Sequence, residues 1–93
     1  MKAGAAMPVW RSDIDALAFA PDGHAGLCTV HRLAFRTLLG RMPTPQDCIA
    51  FFKSNERAFH SAAGAKILRR GLVSGANFHL TSRDVAAAIG VAQ

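Results

Sequence analysis

From Thr44 to Gly71 apolar side chains recur at helical spacing, with Cys48, Phe51, Phe52, Phe59, Ala62 and Ala63 on one side. Asn55 falls among them, and Lys53, Arg57, His60 and Ser61 fall opposite. The pattern predicts one amphipathic helix. Its start is marked by Thr44 as N-cap, Pro45 at the first helical position and Asp47 where a carboxylate reaches back to the cap. Gly64 lies mid-helix, and beyond it Lys66 and Arg70 rotate onto the apolar side. The expectation is a bend near Gly64, or an end that projects with its lysine and arginine stems lying across apolar surface.

Upstream the period changes. Val9 and Trp10 read as a short edge strand or the lead-in to one. Ile14 to Ala20 reads as a strand with Leu17 and Phe19 on one face and Ile14, Ala16 and Ala18 on the other, so it is covered on both sides or small on its second. Pro21-Asp22-Gly23 supplies a turn, and His24 to Thr29 is expected to return antiparallel. A helix then begins near Thr29 or Val30 and ends at Gly40, with His31, Phe35, Leu38 and Leu39 on its packed stripe and Arg32 and Arg36 on its solvent face. Asn77 to Leu80 alternates as a last strand. Thr81 caps a short helix, with Asp84 three residues on, as Asp47 is from Thr44.

These elements predict an α+β fold of order β-β-α-α-β-α, a small antiparallel sheet formed by a β-hairpin and a C-terminal strand and packed against two to three helices. Residues 1–8 are expected to be a disordered tail before a single domain over 9–93. A chain of 93 residues has no room for a second core.

Net charge is +5, and it is unevenly spread. Residues 1–47 carry five basic and four acidic side chains, whereas residues 48–83 carry six basic ones against Glu56 alone. The second half is the positive half, a bias that attracts polyanions non-specifically. Two cysteines without a secretory signal fit a reducing, cytoplasmic setting. No apolar run approaches the length of a membrane span.

The Pro-Asp-Gly hairpin, the Cys28-x-Val30 strand end running into a helix, the long helix with spaced phenylalanines and the strand closing in Thr81-Ser82-Arg83-Asp84 together resemble the family named domain of unknown function 1488. The likeness covers most of residues 9–90. It implies a small α+β fold in a bacterial cytoplasmic setting, and it brings no catalytic residues.

Candidate chemistry is sparse. Cys28 with His31, or either cysteine with His60 or His79, could be drawn as nucleophile and base, but a strand cysteine and a cysteine on an apolar helix face read as inert core residues. Cys28-x-x-His31 has no companion pair at zinc-finger spacing, Asp13 and Asp15 read as solubilising an edge, and the glycines form no phosphate loop. No cofactor or metal is implied, and the chain is expected not to be an enzyme. Lys53, Arg57, Lys66, Arg69, Arg70 and Arg83 are the candidate contacts to a partner or polyanion. Asn55 is either a hydrogen-bonded core amide or a polar position in a helix-mediated dimer seam. The leading expectation is a protein-binding or self-associating module. A basic nucleic-acid-binding module using residues 53–83 is the alternative.

Overall fold

The computed structural model describes residues 8–92, so the expected tail lies almost wholly outside the described residues. Four strands, β1 (Val9–Arg11), β2 (Ala16–Phe19), β3 (Cys28–His31) and β4 (Phe78–Leu80), form one sheet in the order β1-β2-β3-β4. Four helices complete the fold: α1 (Arg32–Leu39), α2 (Pro45–Ser54), α3 (Glu56–Arg70) and α4 (Ser82–Ala92). The class is α+β, as the pattern indicates, but the sheet is mixed. β1, β2 and β3 run as an antiparallel meander, whereas β4 lies parallel to β3. A strand that returns after a long helical crossover can lie parallel to the one it left, and the alternation of Phe78 and Leu80 carries no information about direction.

The register puts Trp10, Leu17, Phe19, Cys28, Val30, Phe78 and Leu80 on one face. This face meets the helices. Phe59 of α3 sits at the middle of the core, with the rings of Phe19, Phe35, Phe51 and Phe52 at centroid distances of 6.3, 5.9, 6.1 and 5.0 Å. The other face of β2 holds Ala16 and Ala18, which are small and also buried, at 3% and 4% exposure.

The long helix is two helices, and the break falls at Asn55 rather than Gly64. Asn55 leaves helical geometry (φ −127°, ψ 30°), and its Nδ2 donates to the Phe51 carbonyl at 3.0 Å. A short amide that bonds its own backbone competes with helix continuation. The carbonyl of Asn55 then accepts from Ala58 and Phe59, which starts α3 on a new register. Asn55 is thus a hydrogen-bonded amide that ends one helix and begins the next. His60 consequently turns inward, its ring edge-on to Phe19 at 5.2 Å, instead of lying on the solvent face. Gly64 sits inside an unbroken α3, which ends at Gly71 (φ 61°) with Leu72 N–H donating to Ile67 and Gly71 N–H to Leu68.

The hairpin differs from its expected form for local reasons. Asp15 takes a left-handed conformation (φ 53°), so Ile14 belongs to the turn and β2 starts at Ala16. The turn at Pro21 forms, with His24 N–H donating to the Pro21 carbonyl, but residues 20–27 then pack on the loop before β4 instead of extending as a strand. His24 Nε2 lies 2.7 Å from the Ala76 carbonyl, and a Cβ on Gly26 would stand 2.3 Å from that oxygen. Only glycine fits there. β3 is thereby delayed to Cys28, and His31 becomes the N-cap of α1, its Nδ1 accepting from Leu33 N–H. Arg32 leaves the solvent face to bond Asp15 and the Pro43 carbonyl.

Candidate binding groove

The joint between α3, β4 and α4 is organised by Asp84. Its Oδ2 accepts from Thr81 N–H at 2.9 Å while Thr81 Oγ1 accepts from Asp84 N–H at 3.2 Å, so the capping pattern read from the sequence is closed in both directions. Two cations from α3 reach the same carboxylate, Lys66 Nζ at 3.0 Å and Arg69 Nη2 at 3.3 Å. Lys66 also donates to the His79 carbonyl at 2.8 Å. Burial works against the Asp84 carboxylate, but the Thr81 N–H and the Lys66 ammonium outweigh it and hold its pKa below the usual value.

Lys66 is therefore not a surface cation. At 8% exposure it serves as a buried tie between α3 and α4, which removes it from the candidate contact set.

Above this network α3 and α4 enclose an open groove of about 500 Å³. Its walls are the small side chains of Ser61, Ala62, Ala65, Ala87 and Ala88, and Arg69, Asp84 and Arg83 stand at one end. Small residues keep the floor shallow and let a ligand approach the helix backbones closely. On α3, Leu68 follows Ala65 by three residues and stands just outside the groove lining, so the two are neighbours on one helical flank. Leu68 is 85% exposed, and Val73, just past the Gly71 cap, is 73% exposed. The groove combines an apolar shoulder with a cationic end.

The charge layout sharpens this picture. All six carboxylates lie within ion-pairing distance of a cationic or imidazole side chain: Asp13 with Arg11, Asp15 with Arg32, Asp22 and Glu56 with His60, Asp47 with Arg41, and Asp84 with Lys66 and Arg69. Among the described residues Arg36, Lys53, Arg57, Arg70 and Arg83 enter no such pair, and every one of them is on a helix. Among the described residues the unpaired cationic charge is presented by the helical layer.

The candidate cations do not form one patch. Lys53 and Arg57 flank a hollow at the α2–α3 junction with Ser54, Asn55 and Glu56, whereas Arg69 and Arg83 share the groove. Arg57 and Arg69 are separated along α3 by about 18 Å at 1.5 Å per residue. Leu68 was not singled out by its sequence position, although the failure of the amphipathic register past Gly64 is the signal that marks its neighbourhood.

The thiols and imidazoles do not gather. Cys28 and His31 point to opposite faces of β3, Cys28 into the core and His31 away from it. Burial pushes the Cys28 thiol up to about 12 and the Cys48 thiol up to about 11, so neither supplies a thiolate near neutral pH. Both should react with an alkylating probe only at the rate of global or local opening. A stopped-flow comparison of native and urea-unfolded protein checks this, and a rapid reaction of either thiol in the native state would contradict it.

No family model, curated protein or solved structure matches this chain. The groove and its charges are accordingly the basis for a functional reading. No helix among the described residues is long and apolar enough to cross a membrane.

Proposed function

We propose that this domain is a non-enzymatic binding module that takes an acidic, amphipathic segment of a partner protein into the groove between α3 and α4. The observation that carries the reading is an alanine-lined groove whose end holds Arg69 and Arg83, with Leu68 exposed on the adjoining flank of α3 just outside the lining. A single exposed leucine is ordinary, but one that stands next to an apolar groove beside the unpaired Arg83 offers both an anchor and a charge preference. Covering it with an apolar side chain removes area worth about 1.5–3 kcal/mol. A second copy on the same groove would bring a surface of the same cationic sign, with Arg83 unpaired on each, so an acidic partner is favoured over self-association at this surface. The resemblance in layout to the domain of unknown function 1488 family and two unpaired, buried thiols support a bacterial, cytoplasmic setting.

Nucleic-acid binding is the second reading, and the concentration of uncompensated cations on the helices favours it. With Lys66 buried and Arg69 paired, four of the sequence candidates remain free for phosphate: Lys53, Arg57, Arg70 and Arg83. All six phenylalanines lie in the core or pack against it, so none offers a face for base stacking.

One titration separates the two. Fluorescence anisotropy is read at low and high salt with a labelled glutamate-rich amphipathic peptide, and with labelled single-stranded DNA and RNA. The peptide is expected to bind, with Leu68→Glu weakening it by about tenfold or more and Arg83→Glu reducing both affinity and salt dependence. Nucleic-acid binding that falls with a log–log salt slope of about −3 and is indifferent to Leu68→Ala would favour the second reading. Absence of binding by all three probes at low salt would remove both.

A further inference from the structure

The two ring nitrogens of His60 face different groups. The backbone N–H of Asp22, in the turn after β2, donates to Nδ1 at 3.2 Å. Oδ2 of the same Asp22 stands 3.6 Å from Nδ1, and Oε2 of Glu56, one turn back on α3, stands 3.9 Å from Nε2. The ring lies edge-on to Phe19 at 5.2 Å and tilted against Phe52 at 6.4 Å, and the side chain is 20% exposed. Phe19 of β2 and Phe52 of α2 thus hold the imidazole in one orientation toward the turn.

A backbone amide only donates, so Nδ1 carries a lone pair whenever the bond from Asp22 is made. The neutral ring is therefore the Nε2–H tautomer. A proton on Nδ1 ends that bond and creates a donor beside the Asp22 carboxylate. Both nitrogens then carry hydrogens, and each faces a carboxylate. We propose that His60 is a proton-operated latch on the Pro21-Asp22-Gly23 turn, which exchanges the backbone N–H of Asp22 for its side-chain carboxylate when the ring is protonated. Histidine is the residue type whose charge changes between about pH 5 and 8, so a switch built on it responds near neutrality.

The other charged groups nearby leave this exchange to Asp22 and Glu56. Arg57, three residues back on α3, belongs to the adjoining helical flank. His24, at the end of the turn, has its Nε2 2.7 Å from the Ala76 carbonyl. The far end of the segment is fixed as well, with Leu27 N–H donating to Asn77 Oδ1 at 2.9 Å and Gly26 against Ala76. The turn itself is closed by His24 N–H on the Pro21 carbonyl. It accordingly moves as a unit, and bringing the carboxylate to a charge-assisted distance of about 2.8 Å displaces it by under about 1 Å. The latch is separate from the proposed peptide groove. At about 100° per residue, Ala62, Ala65 and Arg69 stand about 140–200° round α3 from His60.

Nuclear magnetic resonance of the 15N-labelled protein between about pH 5 and 8 tests the proposal. On the alkaline side the ring of His60 is expected as the Nε2–H tautomer, with Nδ1 at the shift of an unprotonated nitrogen. As the pH falls, the Asp22 amide signal should move in step with the His60 ring nitrogens, while the Leu27 amide stays in place. Asp22→Asn keeps the backbone donor and removes the carboxylate, and with that side chain 87% exposed the fold should be retained. In this variant the protonated ring has no replacement partner in the turn. The turn should then loosen at low pH, read as a fall in the heteronuclear NOE of residues 22–24 that the wild type does not show. A neutral His60 in the Nδ1–H tautomer would overturn the proposal. So would an Asp22 amide that does not follow His60, or a turn that behaves alike in the variant and the wild type.

Discussion

Replacing Asp84 with alanine is expected to destabilise the fold by about 3–5 kcal/mol, because it strands the buried Lys66 ammonium without its counter-charge and opens the cap of α4 at once. For 93 residues the total stability is of the order of 5–14 kcal/mol, so the loss approaches half of it. Urea unfolding followed by the single tryptophan, Trp10, measures the change. The double variant Lys66→Met, Asp84→Ala should be less destabilised than Asp84→Ala alone, since the stranded charge is gone. If the two were equally unstable, the cost would lie in the cap and not in the ion pair. Arg83→Ala, on the exposed side of the same helix, should change stability by less than about 0.5 kcal/mol.

The same carboxylate gives the fold a pH dependence of defined sign. The pKa of Asp84 is lower in the folded than in the unfolded chain, so its contribution is fully present above the unfolded value of about 3.9. It is lost as pH falls through the folded value. Asp47, held down by the Thr44 N–H and Arg41, and Asp13, held down by Arg11, act in the same direction. Stability should therefore fall below about pH 4, and the fall should be shallower in Asp84→Asn than in the wild type.

Truncating Phe59 to alanine is the other large expected effect, again about 3–5 kcal/mol. Phe59 is fully buried, and four other phenylalanine rings from β2, α1 and α2 pack around it. Removing it leaves a cavity that three elements would have to move together to fill. Phe51→Ala, at the half-buried edge of the same cluster, should cost less. Equal losses at the two positions would mean that the cluster is not centred on Phe59.

Features that depend on residues three or four apart were legible in the sequence. Thr44 with Asp47 and Thr81 with Asp84 close their caps, and Gly40 and Gly71 end their helices in left-handed geometry, as their spacing indicates. Features that depend on a competition or on a distant partner were not. The Asn55 break is a contest between one side-chain amide and the helix ladder, and the apolar positions on either side of it fit a single helix equally well. Lys66 reads as a surface cation until α4 is brought across α3 to set Asp84 against it, eighteen residues away. The delayed start of β3 likewise follows from the contact of Gly26 with Ala76, fifty residues on, which no local pattern contains. For the candidate site, the loss of register past Gly64 located the region, and only the packed helices revealed the groove and the exposure of Leu68.

The binding account is tested most directly by amide chemical-shift mapping of the labelled protein as a glutamate-rich amphipathic peptide is added at low salt. The expected result is a set of shifts along Ser61, Ala65, Leu68 and Arg69 of α3 and Arg83, Ala87 and Ala88 of α4, saturating with peptide and absent in Leu68→Glu. Shifts that instead centre on Lys53 and Arg57, or on the strands, or no shifts at all, would contradict it.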